Sequence, residues 1–294
     1  MVSKNGSKYS SIQQGIDAAA PGDTVLIKKG KYSENLTIEK DLTLKGQGPD
    51  KVIIRGHEKG KPALRIGPST LPTSSELGKI EVEVRGIKLN GTKSADSFHG
   101  CAVKGFRCPH GLFLTGQARV ELSNVAILSS EHSGVVLYDS AQASFRDVQI
   151  SKNGKFGITL INSTQIKVED SRIAENKLSG ITLGDSSEGE IQNSLITQNK
   201  QGGVFLTIGS RAKIKGSRII KNISETENLS EGLHVERSAK LELIDNEILG
   251  NDVGVKISSP ENFDGKLGGK DNRIINNDIN FTGVSTEAID DLTA

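Results

Sequence analysis

The chain has 294 residues, 34% of them hydrophobic and 25% charged, which is ample for a folded core and unlike a disordered chain. Its 37 basic and 36 acidic residues leave a formal charge of +1, so no global basic field draws in a nucleic acid. No apolar run is long enough to span a membrane, and MVSKNGSKYSS lacks the apolar stretch of a signal peptide. The expected location is extracellular or at the cell surface, as a mature form restarted with Met, with a cytoplasmic placement left open.

In chain order, SSIQQGIDAAAPGD comes first. Ile12, Ile16 and Ala19 recur at helical spacing, with a serine before them and Pro21-Gly22 after. This predicts a short amphipathic helix over 10–20 that caps one end of the strands after it. TVLI, NLTIEK, DLTLKG, KVIIRG and PALRIG then read as short strands, and IEVEVRGIKL as a longer strand pair. Together they make irregular coils over 24–110, with an inserted loop at 90–110.

That loop carries SFHGCAVKGFRCPHG. His99-x-Cys101 and Cys108-x-His110 each place two donors on one side of an extended segment, and four such donors suit tetrahedral Zn²⁺. A Cys101–Cys108 disulfide closing a short loop is the competing reading, and free thiols beside surface histidines a third.

From 111 to 278 the chain repeats. A glycine opens each unit at Gly111, Gly134, Gly157, Gly180, Gly203, Gly232 and Gly254, with four steps of 23 residues, then 29 and 22. Taking that glycine as position zero, an apolar pair occupies positions one and three, as in Ile158/Leu160 and Ile181/Leu183. A second pair comes next, as in Ile166/Val168. Position thirteen is Asn124, Asp147, Asp170, Asn193, Gly216 or Asp245, types that tolerate left-handed backbone at a corner. Position sixteen is always isoleucine, from Ile127 to Ile248, and Asn153, Asn176, Asn199, Asn222 and Asn251 come three residues later. The segment NISETENLSE accounts for the 29-residue step. Residues 279–294 form a C-terminal cap or tail.

Three short strands per unit, with corners and no recurrent hairpin dipeptide, predict one all-β domain: a right-handed parallel β-helix of roughly nine or ten coils. The isoleucines then stack in an internal column, and the corner Asn and Asp residues are expected to stack as polar ladders.

The segment SIQQGIDAAAPGDTVLIKKGKYSENLTIEKDLTLKGQGPDKVIIRGH resembles the N-terminal coil of pectin methylesterases, and the glycine-led units resemble the carbohydrate-binding and sugar-hydrolase type of β-helix repeat. The chain is thus similar to the pectin lyase-like superfamily over nearly its whole length. The resemblance is specific for fold, because this fold hosts many reactions. The methylesterase motifs are absent. Ser133-Gly134 stands where Gln-Asp would be, Gly157 near the catalytic Asp, and the chain has no Trp. Polygalacturonase motifs are not found in order, and no carboxylate cluster matches the Ca²⁺ site of pectate lyases. Zn²⁺ at the His/Cys loop and Ca²⁺ elsewhere therefore remain only options, and no cofactor is established.

The resemblance implies a substrate groove along the outer face of the first strand of each coil. The pleat turns Phe113, Thr159, Thr182, Phe205 and His234 outward there, with Tyr138 and Asn162 just beyond. These are the candidate sugar-binding residues, and the expected partner is a polysaccharide or oligosaccharide. Asp139 and Asp185 lie two coils apart, roughly 9.6 Å by strand spacing, near the upper range for an inverting glycosidase pair. A divergent polysaccharide hydrolase or lyase using them is the alternative to binding alone. A structural rod is the third reading.

Overall fold

The structure, a computed structural model, describes residues 8–58, 60–68, 78–91, 108–225, 229–258 and 260–293. Two parallel sheets wind around one core. The first holds ten strands, one per coil, from Leu36–Ile38 to Ile279–Thr282. The second holds seventeen and carries the second and third strands of the coils. Every registered pairing is parallel and links neighbouring coils; Ile158, for example, lies between Val135 and Ile181. The fold is the expected right-handed parallel β-helix, here with ten coils.

The core arises from alternation. Position-one and position-three residues such as Ile158, Leu160, Ile181 and Leu183 are wholly buried, as are Ile127, Ile173, Ile196, Ile219 and Ile248. Burying such a side chain stabilises by about 1.5–3 kcal/mol. The repeat glycine is needed because of what stands beside it. A Cβ on Gly157 would come within 2.4 Å of the Gly180 carbonyl oxygen, 2.7 Å of Ile173 Cγ2 and 2.8 Å of Asn176 Nδ2. The repeat thus interlocks, with the glycine leaving room for the isoleucine and asparagine of its own coil.

Each regular coil turns three corners through left-handed residues. In one coil these are Asn162 (φ 67°), Asp170 (φ 48°) and Glu175 (φ 58°). The expectation that the corner Asn and Asp residues stack as polar ladders holds at position nineteen and is corrected at position thirteen. Asp147, Asp170 and Asn193 are exposed. The ladders form one residue later and at position nineteen, where the side chains are buried. Ser171, Ser194 and Ser217 pass backbone N–H bonds from coil to coil at 3.1–3.2 Å until Asn246 takes over at 2.9 Å. Asn153, Asn176, Asn199, Asn222 and Asn251 form the second ladder; Asn153 accepts from Ser130 N–H at 3.0 Å, and each later one accepts from the backbone N–H and side-chain Nδ2 of the asparagine before it. Buried polar groups are tolerated here because each is matched.

Both ends are covered. Helix α1 (Ile12–Ala18) is N-capped by Ser11, whose side chain accepts from Gln14 N–H at 3.2 Å. The Glu34 carboxylate accepts from Ile12 and Gln13 N–H, both at 3.0 Å. Ile12 and Ile16 close the core. Helix α2 (Thr286–Thr293) buries Leu292 at the other end, and the Leu292 carbonyl accepts from Asn272 Nδ2 at 2.7 Å. IEVEVRGIKL is not a strand pair but one ten-residue strand, Glu81–Asn90, bent at Gly86 (φ 65°). Gly30–Ser33 adds a strand that its sequence does not announce.

Candidate functional site

The outward residues of the ten-stranded sheet form one register-paired column. It starts at Thr37 and Arg65, passes Phe113, Val136, Thr159 and Thr182, and ends at Phe205, His234, Lys256 and Thr282. Five of the seven predicted sugar-binding residues therefore share a line: Phe113, Thr159, Thr182, Phe205 and His234. Tyr138 and Asn162 sit at the corner at the end of the strands, Tyr138 half-buried and Asn162 in the left-handed region.

Asp139 (φ 72°) and Asp185 (φ 53°) occupy that same corner two coils apart, with Asn162 between them. Asp185 Oδ2 accepts from Asn162 N–H at 3.2 Å, and Asp185 N–H donates to Thr207 Oγ1 at 3.2 Å. The Asp185 carboxylate thus serves the turn of the preceding coil, and the described contacts show no third group converging on the pair.

Two clusters of titratable residues mark the column. Near Phe113, His110 stacks on the phenyl ring with centroids 6.0 Å apart and meets His132 edge-on at 5.0 Å. Burial holds His110 down at about 3, helped by His132 and Lys155 and opposed by a bond to the Ser133 backbone. Burial, then Lys155, holds His132 down at about 4. Both stay neutral in the fold well below pH 6.5, where an unfolded chain protonates them. Unfolding therefore takes up protons as pH falls, and stability drops from about pH 6.5 toward the folded values. Urea midpoints should decrease between about pH 7 and about pH 5, above the range where unfolded carboxylates titrate. His110→Phe keeps a ring against Phe113 and should flatten that decrease; an unchanged slope would assign it to other groups.

The second cluster surrounds His234. Its Nε2 lies 2.7 Å from Ser258 Oγ, and its Nδ1 lies 3.6 Å from Glu231 Oε1. Lys256 Nζ donates to the same Glu231 oxygen at 2.8 Å, and Phe205 packs against the His234 ring with centroids 4.4 Å apart. Glu231 is 8% exposed. Burial pushes its pKa up, but the bonds from His234 and Lys256 outweigh this and hold it below the usual carboxylate range.

Of the four residues read as metal ligands, His99 and Cys101 lie outside the described residues. Cys108 is disulfide-bonded, which removes the thiolate a metal would need. His110 is directed to the Phe113 cluster. Among the described residues no group of three or more His, Cys, Asp or Glu could hold a metal ion.

A groove of about 910 Å³ runs along the second-strand face instead. Some of its charges pair between coils, as in Lys213–Glu242 at 3.1 Å and Arg211–Glu188 at 3.6 Å, but its lining holds seven basic and four acidic residues, with Arg211, Lys240 and Lys266 in register on successive coils. Such exposed pairs contribute little stability, and the groove keeps a net positive lining.

Residues 85–246 match the family described as the right handed beta helix region. The chain belongs to that family. By structure, this β-helix is similar to the A-module of mannuronan C-5 epimerase AlgE4 from Azotobacter vinelandii, with 14% identity, 96% of this chain and 94% of that one covered, and a TM-score of 0.53. It is also similar to pectin methylesterase PemA from Erwinia chrysanthemi, with 13% identity, 100% and 92% coverage, and a TM-score of 0.51. ORF18 of Geobacillus virus E2 gives a TM-score of 0.61 at 10% identity, over 92% of this chain and 55% of that one. Among curated proteins none matches by sequence. At these identities the likeness is one of fold. Among the described residues of this β-helix, no helix is long and apolar enough to cross a membrane.

Period-two alternation puts His234, Lys256 and Ser258 on the outer face but does not reveal Glu231. Glu231 closes the NISETENLSE insertion, and Ser258 lies at position four of the next unit, where the period is broken. The available signal was the register, which sets Lys256 beside His234 and brings Ser258 two residues further along the same face.

Proposed function

We propose that this β-helix binds a polysaccharide or oligosaccharide along the outward column of its ten-stranded sheet. The observation that carries this reading is the unbroken register from Thr37 to Thr282, nine steps of about 4.8 Å or roughly 43 Å. Along it, Phe113, Phe205 and His234 offer ring surface, which pairs an apolar body with polar neighbours as sugar rings require. The Thr159 and Thr182 hydroxyl oxygens are buried and have no partner among the described residues, so turning them toward a ligand breaks no bond to those residues. Names of structural neighbours that include mannuronan and pectin add support by analogy of fold. The rod reading is less well supported, because α1 and α2 cover the edges through which coils would stack end to end. The hydrolase or lyase reading through Asp139 and Asp185 gains no support from a carboxylate already holding a turn. This function assigns no metal or cofactor. It places the protein outside the cell or at its surface, a setting in which the disulfide of Cys108 persists.

The test is electrophoresis through gels cast with alginate, pectin or a neutral glucan. One polymer should retard the protein, and Phe205→Ala should weaken that binding about tenfold, equivalent to ~1.4 kcal/mol. Unretarded migration in all three gels removes the proposal.

A further inference from the structure

We infer that Ser258, His234 and Glu231 form a nucleophile, base and orienting acid that hydrolyse a carboxylic ester carried by the bound polysaccharide. The geometry is that of an acyl-transfer site. A serine hydroxyl lies 2.7 Å from a ring nitrogen, within reach for general-base activation. The opposite ring nitrogen faces a carboxylate 3.6 Å away. An anion on that side favours the tautomer with hydrogen on Nδ1, which leaves Nε2 free to accept from Ser258 Oγ. Glu231 is held from a second direction by Lys256 at 2.8 Å, so the carboxylate is fixed as well as charged. The edge of Phe205 fixes the imidazole plane from the side.

The placement distinguishes this cluster from the structural polar ladders. Those ladders lie inside the coil walls and are made of like residues in successive turns. Here four unlike residues meet on the outward face, and Ser258 and His234 remain partly exposed. Ser258 needs no side-chain bond to hold its backbone, since its N–H already donates to the Val235 carbonyl at 3.0 Å. Lys256 lies two residues before Ser258 on the same face, roughly 7 Å along the strand. Its ammonium is the nearby cation for the oxyanion that forms when Ser258 attacks.

The reaction balances with water alone. Ser258 Oγ bonds to the ester carbonyl carbon while its proton passes to Nε2. The tetrahedral oxyanion collapses, the bond to the alkoxy oxygen breaks, and Nε2 returns the proton to the leaving alcohol. Water then attacks the acyl-serine and gives a proton to Nε2. The Ser258 oxygen leaves and recovers that proton, releasing a carboxylic acid. The ester is either an acyl group on a sugar hydroxyl or a methyl-esterified uronate, since both present the same carbonyl. The polysaccharide part of the inference rests on the binding function proposed above; the nucleophile does not.

The experiment uses the purified full chain, a fluorophosphonate and p-nitrophenyl acetate. The fluorophosphonate should add once per chain, at Ser258 by peptide mass spectrometry, and p-nitrophenyl acetate should be hydrolysed above the buffer rate. Ser258→Ala should abolish the adduct and slow hydrolysis about a thousandfold or more, and His234→Gln should do the same. Both changes lie on the outer face, and unchanged far-UV circular dichroism confirms that the fold is retained. Activity of the unsubstituted protein should rise with pH through one ionisation and then level off. Acetate release from acetylated polymer and methanol release from methyl-esterified pectin separate the two ester sources. Absence of both adduct and hydrolysis, or hydrolysis indifferent to Ser258→Ala, overturns the inference. Labelling of Ser258 without gel retardation keeps the nucleophile and removes the groove; retardation without labelling does the reverse.

Discussion

Gly180→Ala is expected to lower the free energy of unfolding by about 3 kcal/mol or more. The added Cβ would stand 2.8 Å from each of three atoms: Asn199 Nδ2, the Gly203 carbonyl oxygen and Ile196 Cγ2. None can retreat cheaply. The carbonyl belongs to the next coil's backbone, the isoleucine is wholly buried, and the asparagine is fixed in its ladder. Relief must therefore come from separating adjacent coils, which weakens parallel hydrogen bonds on both sides. Gly268→Ala is the matched control. It also lies in a strand, yet a Cβ there meets nothing within 4 Å. Urea titrations should show Gly268→Ala near neutral and Gly180→Ala strongly destabilised. Equal effects would mean that glycine acts through chain entropy alone.

This interlock explains why the architecture is readable from sequence. The glycine, the isoleucine at position sixteen and the asparagine at position nineteen recur because their atoms touch within a coil and repeat in the next. The corner at position thirteen is legible too, since Asp147, Asp170 and Asn193 are types that accept left-handed backbone. The third corner is not. Lys152, Glu175, Gln198 and Lys221 are all left-handed, with φ of 55–60°, yet nothing in their side chains favours it. That conformation is imposed from outside, by the buried asparagine that comes after each of them and binds the adjacent coil. Position nineteen therefore shapes a corner that it does not itself occupy.

The candidate site divides in the same way. The column of outward residues arises from period-two alternation and could be located without coordinates. The Ser258–His234–Glu231 cluster could not, because Glu231 and Ser258 lie 27 positions apart in a stretch where units of 29 and 22 residues replace the regular 23. Chemistry here depends on departures from the repeat, and a departure has no second copy to reveal its register. Asp139 and Asp185 show the opposite hazard. Their spacing is set by coil height, so any two acidic residues at one corner would show it.

Asn199→Ala tests the ladder itself, and the expected loss is again about 3 kcal/mol. Asn199 Oδ1 accepts from Asn176 N–H at 3.1 Å and from Asn176 Nδ2 at 2.8 Å. Its own Nδ2 donates to Asn222 Oδ1 at 3.0 Å and to the Ile173 carbonyl at 3.3 Å. Alanine removes all four side-chain bonds and leaves two buried donors on Asn176 without their acceptor. Each orphaned group costs about 1–3 kcal/mol, while relaxation of the neighbours recovers part of the sum. Asn199→Asp should be no better, because a carboxylate could still accept but could not donate, and it would carry a charge into a fully buried site. Asn193→Ala, at the exposed corner of the same coil, loses only its preference for left-handed backbone and should cost about 1 kcal/mol. Because a solenoid is stabilised mainly between neighbours, the damage should be local. Amide hydrogen exchange in Asn199→Ala should accelerate first at Asn176 and in the strand Arg172–Ala174, with the coils near α1 still protected. Uniform acceleration along the whole chain would show instead that the ten coils unfold as one unit.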